Sequence, residues 1–164
     1  ATLLGTSDAR RIEESLSAYR RRFEQVGIFE NQLYPGIVEA LEALDAAGHW
    51  MSVVTAKPHV YARRIVDHFG IARRFRHVVG PELTATNYTK ASLIREACAA
   101  APDLAGATVM VGDRAEDILG ARSNGIGSIA VTWGYGTRAE LEAARPDRLV
   151  TSPPELLDCM GHWA

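Results

Sequence analysis

The stretch Thr108-Val109-Met110-Val111-Gly112-Asp113-Arg114-Ala115-Glu116-Asp117 decides how this chain is read. A β-branched run from Thr108 to Gly112 ends in a carboxylate, and a helical pattern over 115–124 follows at once. An unbroken apolar run predicts a strand covered on both faces, as in a parallel sheet. Asp113 stands at the strand tip and Asp117 one helical turn later, so both carboxylates are placed to face one spot above the sheet. Hard oxygen ligands there suit Mg²⁺, which binds through one or two carboxylates, substrate phosphate and water. Helix capping with a salt bridge from Asp117 to a neighbouring arginine is the structural alternative.

Outward from this stretch the same grammar repeats. Trp50–Thr55, His77–Gly80, Ser128–Thr132 and the short Arg148–Val150 predict further strands. Helical patterns occupy about 59–69, 89–100 and 138–144 between them. Strands alternating with helices predict an α/β fold with a doubly wound parallel sheet, whose chemistry gathers at the carboxyl ends of the strands. The first fifty residues differ. Arg10–Val26 carries Ile12, Leu16, Tyr19, Phe23 and Val26 at helical spacing, with Gly27 to end it. Pro35 is expected to open a second helix with Val38, Leu41 and Leu44 on one face, closed by Gly48. Phe29–Pro35 reads as a hinge or an ordinary loop. The division expected is a partial helical cap over 1–34 and an α/β core over 35–164.

At 164 residues, 47% hydrophobic and 23% charged, the chain has the composition of one globular domain, not of a disordered, collagen-like or membrane-bundle protein. Eighteen Lys+Arg against twenty Asp+Glu give a net charge of -2, which draws no polyanion to the protein as a whole. Arg20-Arg21-Arg22 is followed by Glu24 and Glu30 and reads as a solvated helix face rather than a nucleic-acid patch. Cys98 and Cys159 fit no zinc spacing, and Cys98, among alanines, reads as a small buried hydrophobe. The chain contains no run of 18 apolar residues and no leader pattern. A cytoplasmic protein, free of membrane and nucleic acid, monomeric or homodimeric, is the expectation.

Two further places put polar residues just after strands. Thr55, in Val53-Val54-Thr55-Ala56-Lys57-Pro58, ends a strand before a helix whose first turn accommodates Pro58. Its hydroxyl and the backbone N–H groups there form either a small anion cradle or a plain helix cap. Lys90 opens the helix after Thr84–Thr89, where a cation opposes the helix dipole. It is a solvated surface lysine or, because it breaks a local rule, part of a site.

Taken together, a Thr, a Lys and an acidic pair, each following a successive strand, converge on a site for phosphate and Mg²⁺. Here the sequence resembles the haloacid dehalogenase superfamily of phosphohydrolases. Val53-Val54-Thr55 is similar to its second motif, Lys90 to its third, and Gly112-Asp113-Arg114-Ala115-Glu116-Asp117 to its fourth. Phe29-Glu30-Asn31-Gln32-Leu33-Tyr34-Pro35-Gly36-Ile37 and Trp133-Gly134-Tyr135-Gly136 resemble the phosphoglycolate-phosphatase-like and 5′-nucleotidase-like branch. The likeness runs from about Leu3 to Leu157. It implies that Thr55 and the Ala56 N–H bind the transferring phosphoryl group and that Lys90 neutralises charge there. It also implies that Asp113 holds Mg²⁺ directly, while Asp117 serves the metal site by orienting Lys90 or a metal-bound water. Lys57 and Arg114 adjoin these motifs with less claim to a role.

The resemblance also exposes a gap. The superfamily's first motif, DxDxT at the end of a strand, supplies the nucleophilic Asp and the general acid/base, and this sequence has none. Asp8, in Leu4-Gly5-Thr6-Ser7-Asp8, is a lone carboxylate before a helix. Residues 1–34 resemble the later part of a cap, so the nucleophile is expected upstream of Ala1. Its strand is expected between those ending at Thr55 and Gly112. Such a protein is an Mg²⁺-dependent phosphomonoesterase acting on a small phosphorylated metabolite, of the 2-phosphoglycolate or nucleoside 5′-monophosphate type, through an aspartyl-phosphate. This chain alone, without that nucleophile, is then expected to be inactive. A phosphomutase, a dehalogenase or a non-catalytic binding domain on the same scaffold are the alternatives.

Overall fold

The computed structural model describes residue 5 and residues 7–163, and divides the chain into two compact units, Ala1–Gln32 and Leu33–Ala164. Leu4 and Thr6 of the Leu4–Asp8 stretch lie outside the described residues. In the first unit, α1 (Ala9–Gln25) begins where the Asp8 carboxylate accepts from the N–H groups of Arg10 and Arg11, at 2.9 and 3.2 Å. Asp8 is thus a helix cap. None of the α1 residues is buried; Tyr19 and Phe23 stack on its surface with ring centroids 5.9 Å apart. Gly27 begins a 3-10 turn, Gly27–Phe29, rather than simply ending the helix.

The second unit is built from parallel strands and covering helices. In chain order these are α2 (Ile37–Ala46), β1 (Ser52–Val54), α3 (His59–His68), β2 (His77–Val79), α4 (Lys90–Ala99), β3 (Val109–Gly112), α5 (Ala115–Ser123), β4 (Gly127–Val131), α6 (Arg138–Ala144), β5 (Arg148–Val150) and α7 (Pro153–Gly161). Every ladder is parallel, but the strands form two sheets, β1-β2 and β3-β4-β5. Among the described residues, then, β1 and β3 each pair on one side only. These are the two strands between which the sequence reading leaves room for one more. Val111 on β3, in the run whose sequence predicts a strand covered on both faces, is 37% exposed.

β4 shows what full pairing does: Ser128, Ile129, Ala130 and Val131 are all buried. Its alternating residues feed two clusters. Ala130 packs with Ile118 of α5 and with Leu141 and Ala144 of α6; Ile129 and Val131 pack with Val150 and Leu156. Burying a side chain such as Ile129 contributes about 1.5–3 kcal/mol, which secures this sheet.

Local details correct the sequence reading. Pro35 does not open α2; Gly36 takes a left-handed φ of 82° at the N-cap and the helix starts at Ile37. Pro58 is the N-cap of α3, not a member of its first turn. Cys98 is half-buried rather than buried, and partial burial pushes its thiol pKa up. Helix α7 was not anticipated, although Ser152 caps it, Pro153 follows, and Glu155 lies three residues after the cap.

Candidate active site

Lys90 is the first residue of α4, and its position follows from a close helix crossing. A Cβ on Gly120 of α5 would lie 2.9 Å from Ile94 Cδ1 and 3.2 Å from both Ala91 N and Lys90 Cγ. Only a residue without a side chain lets α4 approach α5 this closely. Asn124 then ties the helices together, donating Nδ2–H to Ala91 O at 2.9 Å and to Gly120 O at 2.8 Å. Held this way, Lys90 Nζ lies 2.9 Å from Asp117 Oδ1, with the two side chains 16% and 6% exposed. The approach is an ion pair without hydrogen-bond alignment, so Oδ1 has no directed donor. The other oxygen, Oδ2, accepts the Arg114 N–H at 3.1 Å, and a Cβ at Gly112 would collide with this carboxylate. The unfavourable place of Lys90 against the helix dipole is thereby offset by a buried counter-ion.

Lys90 also reaches β1. Thr55 N–H donates to Val79 O at 3.0 Å. In a parallel ladder that pattern turns the Val54 groups toward the opposite edge. There Lys90 Nζ donates to Val54 O at 3.3 Å. One ammonium therefore joins the end of β1 to the helix that follows β3. Thr55 comes next in the chain. Its Oγ1 accepts the Lys57 N–H at 3.1 Å, closing a tight turn, so it is not the cap of α3. Ala56 O accepts from Tyr88 Oη at 3.3 Å.

Asp113, half-buried at the tip of β3, is wrapped by the loop after β4. Tyr135 N–H donates to Asp113 Oδ2 at 2.7 Å. Side chains at Gly134 or Gly136 would strike the Asp113 carboxylate and its carbonyl, respectively. Tyr34, Val111, Asp113, Trp133 and Tyr135 line a cavity of about 290 Å³ here. Among the described residues, no three His, Cys, Asp or Glu side chains gather as a metal site. Asp113 spends one oxygen on the protein, whereas Asp117 is engaged through both.

The structure thus brings Lys90, Asp117 and the backbone before Thr55 together, and places Asp113 against the Trp133–Gly136 loop. Sequence reading missed Gly120, Asn124 and Glu140. Glu140 Oε1 accepts from Arg114 Nε at 2.8 Å and from Ala115 N at 2.9 Å. The Ala115 N–H and the Arg114 guanidinium hold its pKa below the usual carboxylate range.

Residues 3–131 match the model for haloacid dehalogenase-like hydrolases, and the chain belongs to that family. It is 42% identical over 139 residues to a 5′-nucleotidase of Pseudomonas aeruginosa, covering 85% of this chain and 63% of that protein. It is 38% identical over 124 residues to the tyrosine-protein kinase PtkA of Mycobacterium tuberculosis, covering 76% of this chain and 43% of that one. A solved structure, a putative phosphatase from Clostridium difficile, superposes with a TM-score of 0.89 at 34% identity, over 93% of this chain and 72% of that chain. The chain therefore spans 63% and 43% of the lengths of those two curated relatives. No helix among the described residues is long and apolar enough to cross a membrane.

Proposed function

We propose that this chain carries most of the active site of a phosphomonoesterase that cleaves a small phosphorylated metabolite in the presence of Mg²⁺. The observation that carries the reading is Lys90, ion-paired to Asp117 and bonded to Val54 O at the edge of β1 that has no partner strand among the described residues. A strand entering between β1 and β3 would end beneath this ammonium, and we assign to it the nucleophilic Asp and the acid/base that this chain lacks. The similarity to a 5′-nucleotidase favours a nucleoside 5′-monophosphate as substrate, ahead of 2-phosphoglycolate.

In this reading Thr55 Oγ1 and the Ala56 N–H hold the phosphoryl oxygens, and Lys90 neutralises charge as it develops on them. Such positioning and charge stabilisation supply most of the catalysis in phosphoryl transfer. The upstream Asp carboxylate attacks phosphorus, the bond to the ester oxygen breaks, and the second upstream carboxyl group protonates the leaving alkoxide. Water then hydrolyses the aspartyl-phosphate, releasing phosphate and restoring the carboxylate. Haloacid dehalogenase phosphatases generally use a divalent metal. The carboxylate of Asp113, with one oxygen uncommitted to the protein, fits a hard cation such as Mg²⁺. Asp117, engaged through both oxygens, supports that site by holding Lys90. When bound, the cation offsets the negative charge of the phosphoryl group.

The test is a hydrolysis assay of the intact gene product. Mg²⁺-dependent release of p-nitrophenol from its phosphate ester is expected, and Asp113→Ala should abolish it while the far-ultraviolet circular dichroism persists. Undiminished activity in Asp113→Ala overturns the metal assignment. No activity in the wild type, on that ester or on a panel of phosphorylated metabolites, favours the non-catalytic binding domain instead.

A further inference from the structure

The segment that carries Lys90 also grips the turn after β1. We propose that Tyr88 is a positioning residue that holds this turn so that the Thr55 hydroxyl and the Ala56 N–H stay free to donate to the phosphoryl group, an inference that rests on the function proposed above. Three peptide units follow one another at the end of β1. In the first, which joins Val54 to Thr55, the C=O accepts from Lys90 Nζ at 3.3 Å and the N–H donates to Val79 O at 3.0 Å. In the third, which joins Ala56 to Lys57, the C=O accepts from Tyr88 Oη at 3.3 Å and the N–H donates to Thr55 Oγ1 at 3.1 Å. Between them the Ala56 N–H has no partner among the described residues, and Ala56 is exposed.

A peptide unit is planar, so bonds to its C=O and its N–H together fix the plane. Both outer units are fixed in this way, and the middle one, with the unpartnered N–H, is held between them. Because Thr55 Oγ1 accepts the Lys57 N–H, its own O–H hydrogen remains to be donated. The Tyr88 hydroxyl, the Ala56–Lys57 peptide and the Thr55 hydroxyl thus form one chain of hydrogen bonds, whose members polarise one another. Tyr88 and Lys90 stand on either side of Thr89, the N-cap of α4. There Ser92 N–H donates to Thr89 Oγ1 at 3.1 Å and Thr89 N–H donates to Ser92 Oγ at 3.0 Å. This capping box gives the two side chains that reach β1 a common fixed base.

The experiment measures how strongly inorganic phosphate inhibits hydrolysis of p-nitrophenyl phosphate by the intact gene product, with the melting temperature alongside. Phosphate takes the place of the phosphoryl group, so its inhibition constant reads those donors directly. Tyr88→Phe keeps the ring and removes only the hydroxyl. The inhibition constant is expected to rise about two- to tenfold, the worth of one net hydrogen bond. Tyr88 is 39% exposed, so water replaces its hydroxyl on Ala56 O and the melting temperature should stay near that of wild type. Thr55→Val removes the acceptor at the other end of the same peptide. The double variant should therefore weaken phosphate by less than the product of the two single effects. A rise below twofold in Tyr88→Phe, with or without a lower melting temperature, overturns the inference, as does a double variant that equals the product. A wild type that hydrolyses no ester overturns the functional reading instead; phosphate binding by calorimetry then compares the same variants by the same criteria.

Discussion

Replacing Lys90 by Met tests whether the ion pair with Asp117 holds the two sheets in register as well as serving chemistry. At 2.9 Å and an effective dielectric of about 20, two unit charges attract by about 6 kcal/mol. Removing both groups from water offsets much of that attraction, so the net value of the pair is small. The single substitution is another matter. It strands a carboxylate whose side chain is only 6% exposed, which costs about 3–5 kcal/mol. In a protein of this size that lowers the melting temperature by about 6–20 °C. Methionine keeps the aliphatic stem that packs over Gly120, so the loss reports on charge rather than volume. Asp117→Asn keeps an acceptor for the Arg114 N–H. The double variant Lys90→Met/Asp117→Asn should therefore recover about 1.5–3 kcal/mol relative to the sum of the singles. Urea unfolding of the intact gene product, followed by circular dichroism, measures all four corners of the cycle. Losses that add within about 0.5 kcal/mol would refute the coupling.

Two further predictions follow from local geometry. Gly120→Ala pushes a methyl group to within 2.9 Å of Ile94 Cδ1 and 3.2 Å of Lys90 Cγ; it should cost about 1–3 kcal/mol in urea unfolding and lower kcat more than it raises KM. Unchanged stability would mean that the α4–α5 crossing has room to spare. Glu155, which accepts from Thr151 Oγ1 and N at 2.7 and 2.8 Å, is held by these bonds below the usual carboxylate pKa. Because its folded pKa is depressed, its stabilisation is present above the unfolded value of about 4.3 and is lost as pH falls through the folded value. Wild type should exceed Glu155→Gln in stability at pH 7, with the gap closing below about pH 4 in urea titrations; a gap independent of pH contradicts the assignment.

Local order was largely written in the chain. Arg148–Val150 is a strand over the very residues read from sequence, and the other four strands begin or end within a residue or two of their apolar runs. Runs of Val and Ile encode strand position because their stiff side chains suit a pleated surface covered on both faces. Pro35 misled because a left-handed Gly36 follows it, so the helix starts two residues later. Helix α7 carried a readable Ser152–Pro153–Glu155 start that composition and motif reading passed over.

The sequence by itself determined the family and the residue types of the site: Thr55 and Asp113 directly after strands, and Lys90 and Asp117 in the helices that follow strands. Their roles in binding phosphate and metal remain the proposal made above. Only the tertiary structure decided that Lys90 pairs with Asp117 across the helix crossing at Gly120, that Tyr135 N–H holds Asp113, and that Glu140 anchors the first turn of α5. It also decided that, among the described residues, the strands divide into two sheets, β1-β2 and β3-β4-β5, with β1 and β3 each paired on one side. The physical reason is distance along the chain. Periodicity and capping act between residues a few positions apart, whereas these contacts join residues 22 to 27 positions apart, and only packing brings them together.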